Sequence, residues 1–324
     1  MISRALSLFV IGAALLEGAA PLPSPPTTIA FVAITRSARE AWLLDGSSGS
    51  LWQQLGEEPP VERVRLLRRM SPLSWKDAKG IAALADGWLI AGRKGRLERY
   101  SATGEFVREI EVKDRVADVV VSGPVLWAVP YIVPGPLRHL LLSADGETFK
   151  RLPLESHSDD VIGTGVAGVI DGAALLAADR DGGAVFVRVF GGPAAFRVRP
   201  NGSRRTVSLE YRRSARRDSL RRFEPREDDL ENYSSPARDL LVTPDGRLVV
   251  LRNFEDVRTS DGVRPAAGTV IDLYAKDGRH EASAELSESA RFIARTDGKR
   301  VVCVTSNGRI LITRFGPRMK GGIE

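Results

Sequence analysis

RDLLVTPDGRLVVLR, residues 238–252, is an apolar run, an Asp-Gly turn and a second apolar run. Asp-Gly between two such runs is a strong short-range β-hairpin signal, because both residues tolerate the backbone of a tight reversal. The same phrase returns as KGIAALADGWLIAG (79–92), RVADVVVSGPVLWAV (115–129), TGVAGVIDGAALLAA (164–178) and ARFIARTDGKRVVCV (290–304). With Asp86, Ser122, Asp171, Asp245 and Asp297 as turn positions, an apolar residue stands five places earlier in every copy: Ile81, Ala117, Val166, Leu240 and Phe292. Such repetition marks an array of supersecondary units.

Each copy runs on into a third strand and, in most, a second turn. These are Leu97–Tyr100 before Thr103-Gly104, Arg138–Ser143 before Asp145-Gly146, Val185–Val189, Thr269–Tyr274 before Asp277-Gly278, and Ile310–Phe315. A fourth strand follows in several, as at Phe106–Val112 and Thr206–Leu209. Ahead of the copies, Thr28–Leu55 holds three strand-like runs, IAFVAIT, EAWLLD and SLWQQL, and reads as a degenerate unit; VERVRLLRRM (61–70) fits a short helix or an outer strand equally. Four antiparallel strands repeated radially predict an all-β fold, a β-propeller, in which stacking buries both faces of each blade and closing the ring removes the ends. Five copies and the N-terminal unit predict six blades, with seven as the alternative. In such a ring Ile29–Thr35 is expected to pair with Ile310–Phe315.

The chain has 324 residues, 43% hydrophobic and 27% charged, enough for one large domain with a substantial core. Its formal charge is +6, but Arg is interleaved with Glu and Asp and no nucleic-acid-binding motif accompanies it, so nucleic acid is not an expected partner. Cys303 is the only cysteine, which excludes an intramolecular disulfide. Arg4, the apolar run Ala5–Leu16 and small residues up to Ala20 have the pattern of an export signal, and the run is too short to span a bilayer. The expected organisation is a signal peptide at 1–20, a Pro-rich linker at 21–27, one propeller domain at 28–317 and a tail at 318–324, with no stable membrane span after processing. The long interval between Asp171 and Asp245 calls for an insertion, Tyr211–Pro236, where an Arg-rich half precedes an acidic half and Ser214 is placed to cap a short helix, Ala215–Phe223.

Catalytic signatures are sparse. His139, His157 and His280 are far apart and lack metal-ligand spacing, so no metal or other cofactor is expected. Asp179-Arg180-Asp181-Gly182-Gly183 lacks the distant Glu of a calcium loop and reads as a hairpin turn. Cys303, inside the run Val301–Val304, reads as a small core residue. The repeat register singles out Lys79, Arg115 and Arg238, seven places before their turns, with Asp239 and Arg291 one place later. If these open the innermost strands, they form a basic channel mouth able to hold an anionic ligand, and Asp118 and Asp239 are the candidates for a general base.

The charged insertion followed by YSSPARDLLVTPDGRLVVLRNFED (233–256) resembles the six-bladed propellers of the NHL and TolB-like kind, especially secreted bacterial members. The resemblance spans roughly Thr28–Phe315 in blade pattern and is specific around Tyr233–Phe254; Val249-Val250 replaces the usual Trp-Val after the turn, which Trp127 retains in another copy. The expected function is a secreted, non-catalytic binding or interaction scaffold for an anionic small molecule or a protein partner. The alternative is a channel hydrolase or lyase acting on a sugar acid or lactone. The channel lactonases that the resemblance implies gather calcium with carboxylates and amides, and the Asn residues of this chain stand outside that register.

Overall fold

The computed structural model describes residues 29–36, 41–67, 75–92, 96–114, 116–130, 139–154, 174–188, 194–209, 237–252 and 268–315. The segments expected to be signal, linker and tail, the expected insertion 211–236 and its expected helix, Arg115, His157 and the turn expected at Asp171 lie outside the described residues.

Six antiparallel sheets follow one another along the chain. Blade 1 contains β1 (Phe31–Ile34), β2 (Ala41–Asp45), β3 (Ser50–Gln54) and β4 (Val61–Arg65). Blade 2 contains β5 (Gly80–Leu84), β6 (Gly87–Ala91), β7 (Leu97–Ser101) and β8 (Phe106–Ile110). Blade 3 is β9 (Val116–Ser122), β10 (Val125–Pro130), β11 (His139–Ser143) and β12 (Lys150–Pro153). Blade 4 is β13 (Ala174–Ala178), β14 (Ala184–Arg188), β15 (Ala194–Val198) and β16 (Arg204–Ser208). Blade 5 is β17 (Ala237–Val242), β18 (Leu248–Arg252), β19 (Val270–Tyr274) and β20 (His280–Glu285). Blade 6 has three strands among the described residues: β21 (Phe292–Thr296), β22 (Arg300–Val304) and β23 (Ile310–Arg314).

The core shows why the ring closes. It falls into six apolar clusters, and each joins two neighbouring blades. The last, with Phe31, Leu43 and Trp52 against Phe292, Val302 and Val304, joins blade 6 to blade 1. A blade is apolar on both faces, so alternate side chains of every strand need a neighbouring blade to leave water. Each large side chain buried this way contributes about 1.5–3 kcal/mol. On the rim, arginines from third strands reach the next blade: Arg99 joins Asp86 (2.6 Å) to Glu147, and Arg197 joins Asp179 (2.8 Å) to the Gly246 carbonyl (2.5 Å).

The hairpin at residues 243–247 follows from its sequence. Gly246 adopts φ +87°, which a side chain disfavours, and Thr243 N–H donates to the Arg247 carbonyl at 2.9 Å. Asp245 accepts from the Thr243 hydroxyl and from Arg247 Nε (2.7 Å), so its carboxylate is committed to the turn. Asp179–Gly183 is likewise a hairpin, closed by Asp179 N–H to the Gly183 carbonyl at 2.9 Å.

Several sequence expectations are corrected. Ile29–Thr35 does not pair with Ile310–Phe315: β1 is the first strand of its own sheet, paired with β2. In blade 4 the first strand is Ala174–Ala178, turning at Asp179–Gly183, so Val185–Val189 falls on the second strand rather than the third. The slip came from taking Asp171-Gly172 as the inner turn of this copy, when the five-residue hairpin Asp179–Gly183 is what joins the first strand, β13, to β14. The open choice at residues 61–70 resolves as outer strand β4, and the blade count as six.

Candidate functional site

The inner strands β5, β9, β13, β17 and β21 neighbour one another in sequence order, and β1 neighbours β5. At their centre lies Arg36, two residues after β1 and only 6% exposed. Its Nε donates to Asp239 Oδ1 at 2.7 Å, and its Nη1 donates to Asp118 Oδ2. Its carbonyl accepts the Ala178 N–H at a long 3.4 Å. Arg36 leaves blade 1 and touches blades 3, 4 and 5, so it occupies the axis of the ring.

Both carboxylates also clasp the following blade. Asp118, third in β9, accepts from its neighbour Val119 N–H (2.9 Å) and from Leu176 N–H of blade 4 (3.4 Å). Asp239, third in β17, accepts Ile293 N–H of blade 6 at 2.7 Å. Asp118 is 5% exposed and Asp239 fully buried. Burial pushes the Asp118 carboxyl up to about 6, against the opposing pull of the Arg36 guanidinium. For Arg36 burial acts to lower the pKa, but the charges of Asp118 and Asp239 prevail and raise it above its ordinary value. Both carboxylates are thus engaged by the Arg36 guanidinium and by backbone N–H groups of the following blade.

The basic residues stand at strand starts. Lys79 immediately precedes β5 and is exposed; Arg291 immediately precedes β21; Arg238 is second in β17, bulged between Ala237 and Asp239. Arg238 and Arg291 are brought together. Burial lowers both guanidinium pKa values, and for Arg291 the positive charge of Arg238 lowers it further. Arg238 Nη1 donates to Ser289 Oγ at 2.9 Å, and the Arg291 guanidinium lies 5.3 Å from the Phe292 ring centre. Two half-buried guanidinium groups of like charge thus stand near each other at the starts of β17 and β21.

Two features escaped the sequence reading. Arg36 sits in a strand-to-strand connection outside the repeat register. The second is a buried network inside blade 5, where Asp272 accepts from Arg252 Nε (2.5 Å) and Nη2 (2.8 Å), Ser283 Oγ (2.7 Å) and Tyr274 OH (3.1 Å), with His280 Nε2 at 3.4 Å. One His280 nitrogen faces both Ser283, at 2.8 Å, and Asp272, and Ser283 itself donates to Asp272. A catalytic triad needs the two histidine nitrogens to face different partners, so this cluster is not one. A signal for it was present: Glu98-x-Tyr100 and Asp272-x-Tyr274 occupy corresponding third strands, and in both the tyrosine hydroxyl donates to the carboxylate.

Cys303 is fully buried, and burial raises its thiol pKa above the ordinary value. Among the described residues no three His, Cys, Asp or Glu side chains are grouped to hold a metal ion. A surface groove of about 380 Å³ lies at the hairpins of blade 5 and is lined by Arg205, Arg247 and Lys276 together with Asp245, Asp277 and Glu281; it shares no residue with the axis.

No protein-family model matches the chain, and no curated protein matches it. Among solved structures it is similar to virginiamycin B lyase from Staphylococcus aureus, with 12% identity over 91% of this chain and 83% of that one and a TM-score of 0.52. It is also similar to a gluconolactonase from Xanthomonas campestris, with 11% identity over 90% and 87% and a TM-score of 0.53. At such identity the likeness is one of fold, and with six blades closed into a ring the chain is a six-bladed β-propeller.

Proposed function

We propose that this propeller is an exported, non-catalytic binding module that holds an anionic small molecule or an acidic protein segment at the mouth bearing Arg238 and Arg291. The observation that carries this reading is the juxtaposition of those two half-buried guanidinium groups, while the nearby carboxylates Asp118 and Asp239 are spent on Arg36. An anion entering between them relieves their repulsion and gains charge-assisted hydrogen bonds. Lys79, exposed immediately before the inner strand β5, extends the same positive rim, and Arg115 lies outside the described residues. Export rests on the segment Met1–Ala20.

Titration calorimetry with D-gluconate, D-galacturonate and inorganic phosphate tests the reading. At least one should bind, with affinity falling about 10-fold or more in Arg238→Gln and in Arg291→Gln, the size of one charge-assisted bond. Affinity that neither substitution alters removes the rim from the function. The structural neighbours named as a lyase and a gluconolactonase make channel hydrolysis or elimination the rival, and turnover of gluconolactone by the purified protein would establish it.

A further inference from the structure

We propose that Arg36, Asp118 and Asp239 form a proton-holding clasp that closes the ring through its axis. The need for one follows from the seam. Blades 1 and 6 share no strand among the described residues, and besides their apolar cluster they are joined by the Phe31 N–H to Ser306 carbonyl bond (2.9 Å) and by the solvent-exposed ion pair Arg300–Glu57 (2.6 Å), which water screens. A ring of separately paired sheets is weakest where its ends meet, because every other interface is also tied by chain connectivity. The axis supplies a second tie. Arg36 of blade 1 grips Asp239 of blade 5, and Asp239 grips Ile293 N–H of blade 6. Blade 1 is thereby hydrogen-bonded to blade 6 by a route that avoids the seam, and Asp118 adds blades 3 and 4 to the same centre.

Charge balance gives the clasp its proton. Two ionised carboxylates against one guanidinium leave one negative charge unmatched in a sealed space, and a lone buried charge is expensive. The groups facing Asp118 are Arg36, its own Val119 N–H, Leu176 N–H from β13, the bare Gly80 of β5 and, through charge, Asp239. Asp239 faces Arg36, Ile293 N–H and the buried Cys303 thiol. Among the described residues Arg36 is the one cation hydrogen-bonded to these two carboxylates. A proton taken from solvent onto Asp118, forming one O–H bond, brings the centre to neutrality. The raised pKa of Asp118, about 6, agrees with that placement.

Two measurements test the clasp. A carboxyl with a folded-state pKa of about 6, against an ordinary 3.8, adds stability that is full below 3.8 and is lost as pH rises through 6. The unfolding equilibrium constant of the wild type should therefore rise about 60-fold from this group between pH 4 and 7, and Asp118→Asn should remove that slope while staying folded at pH 7. An unchanged slope in Asp118→Asn overturns the proton. For the seam, Arg36→Lys keeps the charge but one ammonium cannot grip both carboxylates in the same geometry. Native-state hydrogen exchange in Arg36→Lys should quicken at least 10-fold in β1 and β21 before the other inner strands. Uniform or unchanged exchange across the six blades overturns the closure role.

Discussion

Asp118 and Asp272 are both strand carboxylates, both sealed from solvent and both facing an arginine, yet Asp118 is pushed up to about 6 while Asp272 is held at about 2. Burial acts first on each, and in the same direction. Hydrogen-bond donors decide the outcome. Asp272 has donors from His280, Arg252, Ser283 and Tyr274, and the whole fork of Arg252. Asp118 shares one guanidinium with a second carboxylate and otherwise has two backbone N–H groups, one of them at 3.4 Å. A buried Arg–Asp pair is thus no fixed quantity: it stabilises the ionised form only when the remaining lone pairs are also satisfied.

The largest expected effect breaks this comparison open. Asp272→Asn leaves the Arg252 guanidinium facing a neutral amide in a buried site, and should cost about 3 kcal/mol or more at pH 7 by urea unfolding. Asp118→Asn at the same pH should cost little or stabilise. The pH dependence has opposite signs as well. Asp272, with a lowered pKa, contributes stability that is present above the ordinary 3.8 and is lost as pH falls through about 2. Asp118 contributes in the reverse sense, lost as pH rises through 6. Similar costs for the two substitutions would show that donor count is not the deciding quantity.

Much of the ring could be read from the chain, and the failures share one cause. Turn chemistry is local: Asp245-Gly246 and Asp179–Gly183 announce themselves through residues that accept positive φ, and both are hairpins. Blade count follows from repeating such units. Register does not, because hairpins of two and five residues place the same turn signal at different depths relative to the axis. Counting back from turns therefore set Asp118 four places before its turn and Asp239 six before its own, although both stand third in their strands and meet at one guanidinium. Arg36 was illegible for a related reason. Its partners are 82 and 203 residues away, and no pattern near FVAITR announces a residue that crosses the ring.

Crowding around Asp118 gives the next test. Gly80, first in β5, lies so close to blade 3 that a Cβ would come within 2.4 Å of Asp118 Oδ1 and 2.8 Å of Val119 N. Gly80→Ala should therefore cost about 2 kcal/mol as strands β5 and β9 are pushed apart, with an extra penalty from disturbing a carboxyl that has few donors to lose. Alanine tolerated within about 0.5 kcal/mol would mean the axis is looser than its hydrogen bonds imply.

The smallest expected effect probes the well-satisfied side. Tyr274 is fully buried, and its hydroxyl donates to Asp272 Oδ2 at 3.1 Å, the longest of that carboxylate's oxygen-donor bonds. Tyr274→Phe keeps the ring, its edge contact with His280 and its volume, so packing against the apolar cluster shared by blades 4 and 5 is unchanged. What is lost is one donor out of several. Thermal unfolding should register about 1.5 kcal/mol, the net worth of one neutral-to-charged bond at the low end of its range, and the Asp272 pKa should move upward. A loss as large as that of Asp272→Asn would mean that this one hydroxyl, rather than the arginine fork, keeps the carboxylate ionised. That outcome would tie the low pKa of Asp272 to the carboxylate-x-Tyr spacing on the third strand, and would put Glu98 and Tyr100 of blade 2 under the same rule.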